Sequence, residues 1–398
     1  MEYRFCLGNE FTAIRRLWSQ SFGEEEPWTS WYFSNHYKAT QTWIGVESGE
    51  VVAQVHMLPY LLFLRGAWRE TVYFVGVCVE EKLRGKGIGR ELLATAIAEL
   101  RRKGTGISIL QPRWPVFYRQ LGWDFCYSRK KYSLPLSVVQ QLLIEVAIGV
   151  SWTPDTLSPG IFADIYEKFV QERHGFAKRD KNDWQLLLAD HRGDGGKTGL
   201  VSCDGKACAY VFYKVVGETL YLREMTWTDY EKVDPTLKHL LVQFEKKGLT
   251  QLEWDDPSNE PVSVLSAIAN KEPFLMGRLT NVQVVLETME YPPELSVNLV
   301  LELSDPLVEE NQGRFLWQIE QGRGRLVKQS VSPIDPITDS LKTDLISIDI
   351  ASISQLYFGQ KSVREIIAQN SKNLIDQRNI AILDRIFPVC RNYISEYF

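Results

Sequence analysis

The sequence predicts a mixed fold, α/β and then α+β, arranged as three consecutive units. Three observations carry this. An apolar strand runs through a glycine-rich turn into an amphipathic helix between residues 72 and 104; a weaker version of the same order recurs between about 136 and 285; alternating strands with short helices follow Pro292-Pro293. The units are set at 1–135, 136–285 and 286–398.

In the first unit, helices are expected over residues 10–22 and around Trp28, Trp31, Tyr32 and Phe33. A hairpin of 42–47 and 51–58 turns about Ser48-Gly49-Glu50. The strand 72–79 is apolar at nearly every position, so it should be buried on both faces and central in its sheet. Ile88, Leu92, Leu93, Ala96, Ile97 and Leu100 repeat at helical spacing, and a basic last turn at 101–103 precedes Gly104. A strand at 106–110, a short helix at 115–121 and one further strand over 123–134 complete the unit.

The second unit has helices at 159–170, 182–190 and 235–247 and strands at 199–202, 207–215, 219–228 and 251–254. The third has strands at 296–303, 314–320, 325–331 and 344–350, followed by three short helices.

The turn Arg84-Gly85-Lys86-Gly87-Ile88-Gly89-Arg90 is suited to a diphosphate. Its glycines let the backbone approach a ligand, and the first N–H groups of the helix have no partner within it. The helix dipole and three basic side chains add positive charge. Neither the mononucleotide loop ending in Gly-Lys-Ser/Thr nor the dinucleotide glycine spacing is present. In the second unit the equivalent stretch, Asp229 to Pro235, has no glycine and three acids, which would repel a diphosphate.

With Arg84, Gly87 and Gly89, the turn resembles the Arg/Gln-x-x-Gly-x-Gly/Ala loop of the GNAT N-acetyltransferases, in which it grips the pyrophosphate of acetyl-coenzyme A. Phe117-Tyr118-Arg119-Gln120-Leu121-Gly122-Trp123, Ser304-Asp305-Pro306-Leu307-Val308-Glu309-Glu310-Asn311 and a chain ending on Phe398 extend the likeness. Over its whole length the chain resembles the bacterial enhanced intracellular survival (Eis) acetyltransferases. The resemblance implies two tandem GNAT folds, the second without a coenzyme site, and a sterol-carrier-protein-like α+β domain. It also implies a homo-oligomer, a hexamer. One departure is Arg113-Trp114, where members often carry Ser-Glu.

For the site, the resemblance implies Tyr118 as general acid and the C-terminal carboxylate of Phe398 as the group that orients or deprotonates the amine. A phenol pKa of about 10 lies close to a thiol's, about 8.5. The strand from Thr71 to Val79 contains no acid, so either a remote carboxylate is required or no strong base at all. Coenzyme contacts are expected from Val77, Cys78 and Val79, one of whose N–H groups would polarise the thioester, and from Arg84, Gly85, Lys86, Gly87, Ile88, Gly89 and Arg90. Trp28, Trp31 and Glu26, with Glu24 and Glu25, suit a bulky cationic acceptor: an aminoglycoside, a polyamine or a protein lysine. The competing readings are a non-catalytic coenzyme-binding sensor and a lipid-binding scaffold. In the third unit a plain core is favoured over a lipid site.

Composition narrows the class further. Of 398 residues, 44% are hydrophobic and 24% charged, as in globular proteins, and the net charge of -5 argues against a nucleic-acid binder. No apolar run is long enough for a membrane span and the N-terminus lacks a leader's apolar stretch, so a cytoplasmic protein is expected. Five histidines show no metal-ligand spacing, and no metal is expected. The six cysteines, without a Cys-x-x-Cys pair, read as buried free thiols.

Overall fold

The computed structural model describes the chain except residues 24–25, 144–148, 230, 232, 259–262, 330–344 and 397–398; residue 140 is described by its backbone alone. The first unit contains β1 (Glu2–Phe5), α1 (Phe11–Phe22), α2 (Trp28–Asn35), β2 (Thr42–Glu47), β3 (Glu50–Leu64) and β4 (Ala67–Val79). After them come α3 (Ile88–Arg102), β5 (Ile107–Leu110), α4 (Pro115–Arg119) and β6 (Asp124–Phe125). Strand β4 is central, between β3 and β5, as its unbroken apolar run requires. Helix α3 buries Ile88, Leu92, Leu93, Ala96, Ile97 and Leu100 against the sheet, the six positions that its periodicity marks.

The second unit runs β7 (Ser128–Pro135), α5 (Leu136–Leu142), β8 (Val150–Pro154), α6 (Pro159–Val170), α7 (Lys181–Gly193), β9 (Lys197–Cys203), β10 (Lys206–Val216), β11 (Thr219–Trp227), α8 (Val233–Glu245), β12 (Gln251–Asp256) and β13 (Asn270–Pro273). Its sheet has the order β13-β7-β12-β11-β10-β9-β8. Helix α7 runs on to Gly193, into the stretch that its glycines mark as loop.

The two sheets exchange strands. Strand β14 (Met276–Leu279) comes after the second unit's strands yet inserts between β5 and β6 of the first sheet, antiparallel to both. The single strand expected over 123–134 is corrected accordingly. It breaks at Cys126 and Tyr127, whose N–H groups both donate to Leu275, leaving β6 in the first sheet and β7 in the second.

The third unit comprises α9 (Val282–Thr288), β15 (Val297–Ser304), β16 (Gly313–Glu320), β17 (Arg323–Lys328), β18 (Leu345–Asp349), α10 (Ile350–Tyr357), α11 (Val363–Gln369) and α12 (Gln377–Ile386), with sheet order β17-β16-β15-β18. Side chains fill its interior: Trp317, 1% exposed, lies between Tyr291 and Phe387 with ring centroids 6.1 and 6.0 Å away. The tip of the β3–β4 hairpin grips this unit. Arg65 donates to the carbonyls of Leu356 and Tyr357 at the end of α10 and to that of Pro388, a cation on carbonyls that the helix leaves unpaired.

The cysteine expectation holds for Cys6, Cys78 and Cys126, which are free and buried; Cys390 is only half-buried. It is corrected for Cys203 and Cys208. These sit on the antiparallel strands β9 and β10, with Cα atoms 5.8 Å apart, and are joined as a disulfide.

One buried ion pair ties the third unit to the first. Arg278 on β14 meets Asp305 at 2.6 and 2.7 Å, both side chains fully buried. Asp305 also accepts the N–H groups of Leu307 and Val308 and the Asn311 amide, so its lone pairs are satisfied as a buried charge demands. Arg278→Met leaves that carboxylate unpaired and should cost about 3–5 kcal/mol of stability; adding Asp305→Asn should recover part of the loss. Guanidinium unfolding of the two variants measures both.

Candidate active site

Strands β4 and β5 pair in parallel from Thr71 with Ile107 to Phe74 with Leu110 and then part. Beyond Phe74, among the described residues, no strand pairs with the β4 edge on that side. A bulge sits in the same stretch: Gln54 opposes Cys78 and His56 opposes Val75, so Gly76 and Val77 share the place opposite Val55. Gly76 has φ 65°, and a Cβ there would lie 2.5 Å from the Trp18 ring. Only glycine meets both demands.

Beyond the end of β4 a short turn leads to Gly87, which caps α3 with φ 86°. Among the described residues, no acceptor meets the N–H groups of Gly85 to Gly89. Donors left free at a helix N-terminus fit a diphosphate. Gly89 faces Phe117, whose ring a Cβ would approach to 3.3 Å, so α3 and α4 pack closely here. The basic side chains do more than surround the loop. Arg84 donates to the Val79 carbonyl at 3.1 Å and to Ser21 at 3.3 Å, bracing the turn against α1. Arg90 donates to the Pro306 carbonyl of the third unit, and Lys86 is exposed.

Val77 and Val79 are half-buried; Cys78 is buried, and burial pushes its thiol up to about 12, a rise that Ser21 and Arg84 oppose. Tyr118, on α4, stands edge-on to Phe117 and Trp123 with centroids 5.1 and 6.3 Å away. Burial and then the neighbouring Cys78 raise its phenol above the ordinary value. The tyrosine, the cysteine and the opened β4 edge thus share one region of the first unit.

A cavity of about 80 Å³ lies where the first unit meets the second. Helix α2 supplies Trp28, Trp31 and Tyr32, and β3 supplies Tyr60. The Trp31 indole N–H is buried without an acceptor among the described residues. The rings continue inward: Tyr32 stacks on Trp18 at 4.7 Å and shares a 2.6 Å hydrogen bond with His56 Nδ1. Since Trp18 also closes on Gly76, one aromatic stack separates the cavity from the β4 bulge.

The opposite wall comes from the second unit and the last described residues: Arg179, Asp183, Asp190, Arg223 and Glu396. Arg223 pairs with Asp190 at 3.0 Å, and Arg179 with Glu396 at 2.8 Å. Asp183 accepts the Asp180 N–H as part of the cap of α7, and burial lifts its pKa. Lys178, Arg179 and Arg223 balance the three carboxylates of the lining; Asp183, in no ion pair among the described residues, is the acid that suits a cationic guest beside the aromatic rings.

Of the acceptor residues expected from sequence, Trp28 and Trp31 line this cavity and Glu26 does not. Glu26 is exposed and bonds Arg15 at 3.1 Å and Ser30 at 2.8 Å. Glu24, Glu25 and Phe398 lie outside the described residues. The second unit's wall carries no local motif; only the Asp180/Asp183 capping pair marks where α7 starts. Among the described residues no group of three His, Cys, Asp or Glu could hold a metal, and no helix is long and apolar enough to cross a membrane.

Residues 2–126 match the acetyltransferase (GNAT) domain family and residues 282–395 the sterol carrier protein domain family. No curated protein matches the sequence. Among solved structures, a probable N-acyltransferase of unknown function from Enterococcus faecalis is similar, with TM-score 0.82 and 17% identity over 100% of this chain and 99% of that one. A GCN5-related N-acetyltransferase from Anabaena variabilis gives 0.79 and 17%, and Eis1 from Mycobacterium abscessus 0.76 and 16%, each over 100% of both chains. The fold is therefore two GNAT-type units followed by a sterol-carrier-type unit, and the first is an acetyltransferase domain. The chain is an enzyme of the N-acetyltransferase class.

Two histidines near these walls are held neutral. Burial pulls His56 down to about 3; His174, bonded to Asn392 at 2.7 Å, falls to about 3 through burial and then Arg65. Unfolded, each would take a proton near pH 6.5. Between about pH 6.5 and 3 the unfolded state therefore binds more protons, and stability falls with falling pH by up to about 1.4 kcal/mol per unit for each. Denaturant unfolding at pH 7 and pH 5 should show this slope, shallower in His174→Gln.

Proposed function

We propose that the first unit transfers acetyl from acetyl-coenzyme A to a primary amine of a bulky cationic acceptor, one arm of which enters the cavity. The observation that carries this reading is the placement of the parted β4 edge: the free N–H groups of Gly85 to Gly89 lie at its end, and the acid-and-aromatic cavity behind its bulge. Bound coenzyme would supply the activated acetyl group, its diphosphate held by those N–H groups and its thioester oxygen met by an N–H of Val77 to Val79.

Tyr118 is the proposed proton donor to the departing thiolate. Its raised pKa keeps the proton on the phenol at every working pH. A thiolate forming in the same dry region is also destabilised, so the transfer need not be as uphill as the phenol's shift alone suggests. The proposed partner of the amine is the carboxylate of Phe398. Glu396, two residues before it in the chain, lines the cavity. With a pKa of about 3.5 against about 10.4 for an amine, it would bind and orient the ammonium and pass its proton through water. A polyamine, an aminoglycoside or a protein lysine fits the wall chemistry. Cytoplasmic location and hexameric assembly complete this reading.

Release of free thiol from acetyl-coenzyme A, followed across a panel of polyamines and aminoglycosides, tests the activity. At least one amine should raise release above background; coenzyme binding with no release would favour a sensor. Tyr118→Phe should lower kcat about 10²-fold or more with little change in KM for coenzyme. Residues added after Phe398 should abolish turnover yet leave coenzyme affinity intact, and full activity would remove the terminal carboxylate from the mechanism.

A further inference from the structure

The second unit repeats the opening seen in the first. Strands β11 and β12 pair in parallel from Thr219 with Gln251 to Leu222 with Trp254, and then part. A bulge falls at the same point: Phe212 opposes Glu224 and Tyr213 opposes Leu222, leaving Arg223 as the extra residue. These are the counterparts of the β4–β5 parting and of the Gly76-Val77 bulge. The turn before α8 has no glycine, so this opening lacks the loop that would hold a diphosphate.

The chain's own tail lies along it. Tyr393 bridges Ser258, just past the end of β12, and joins the core around Phe169 and Trp227, with centroids 4.9 Å from Phe169. Ser395 donates to Glu224, on the free half of β11, at 2.9 Å. Upstream, the Tyr393 N–H donates to the His174 carbonyl, and the Asn392 amide donates to Phe358 at 2.8 Å. The tail thus fills the place between parting strands that the first unit leaves open at its loop.

One side chain fastens it. Arg179, 3% exposed, donates to both oxygens of Glu224 at 2.8 and 3.1 Å, to Glu396 at 2.8 Å and to the Ser395 hydroxyl at 2.6 Å. Its guanidinium packs against both Tyr166 and Trp184, 4.1 and 4.9 Å from the centroids of two rings that meet edge-on. The planar fork holds Glu224 through both oxygens while also reaching Glu396 and Ser395, more partners than a lysine's three donors could serve. Both Arg179 and Glu396 line the acceptor cavity.

We propose that the second unit is a tail holder: residues 392–396 plug the opening between β11 and β12, and the Arg179–Glu224 pair is the latch that sets Glu396 against the acceptor. Arg179 is on this account a positioning residue. The proposal rests on the acceptor assignment above, so its test includes a readout independent of turnover.

Two variants are compared by hydrogen exchange of the full chain. Ser395→Ala with Glu396→Gln removes the tail's half of the latch; Arg179→Met with Glu224→Met removes the other half, neutralising the buried pair together and leaving Glu396, at the cavity wall, as the carboxylate that loses its partner. In both, the peptide covering 391–396 should exchange about tenfold faster, while peptides of β4 and α3 keep their protection. KM for the acceptor and Kd for spermine should rise about tenfold, with KM for acetyl-coenzyme A unchanged. Unchanged exchange at 391–396 in both variants overturns the latch. Faster exchange with unaltered spermine affinity overturns the positioning role. If the native protein releases no thiol with any amine, the proposed activity fails, and exchange and spermine binding still decide the latch.

Discussion

A parallel strand pair that stops pairing halfway governs this molecule. Once β4 leaves β5 after Phe74 and β11 leaves β12 after Leu222, each sheet carries backbone groups that must find another partner. Burying such groups unpaired is costly. In the second unit the chain's tail, residues 392–396, lies at the opening, where Tyr393 bridges Ser258 and Ser395 donates to the Glu224 side chain. The first keeps its edge and a row of free N–H groups beside it, which is the physical basis for assigning a ligand to it.

The rest of the architecture holds these two openings in place. Strand β14 locks the sheets together by crossing from the second unit into the first, and Arg278 on that strand carries the buried pair with Asp305. The loop after Asp305 reaches both ends of α3. Pro306 accepts Arg90 at its start, and Asn311 accepts Arg101 at its end at 3.0 Å. The sterol-carrier-type unit therefore acts as a brace for the helix behind the glycine turn, and its own interior is filled around Trp317.

Much of the first unit is legible because its signals are local. The six apolar positions of α3, Gly87 at its cap and the acid-free strand from Thr71 to Val79 all depend on residues a few places apart. Trp28 and Trp31 are legible for the same reason, as aromatics on a short helix. Glu26 is not, because adjacency in sequence to an aromatic helix does not fix direction; its carboxylate turns to Arg15 and Ser30. The break at Cys126 stays hidden because 123–134 has no glycine or proline to mark it, so the stretch reads as one strand whichever sheet receives it.

The sequence by itself determined the core order of the first unit from β2 to α4, the glycine turn before α3 and its absence before α8, and hence which half of the chain has the equipment to hold a diphosphate. These depend on backbone freedom, helix periodicity and charge, all of which act over a few residues. The tertiary structure alone decided the strand exchange, the disulfide, the cavity wall of Asp183, Asp190, Arg223 and Glu396, and the seat of the tail on Arg179. Each joins residues from distant parts of the chain or from separate strands. Such contacts are set by how sheets and helices pack, which no local pattern encodes.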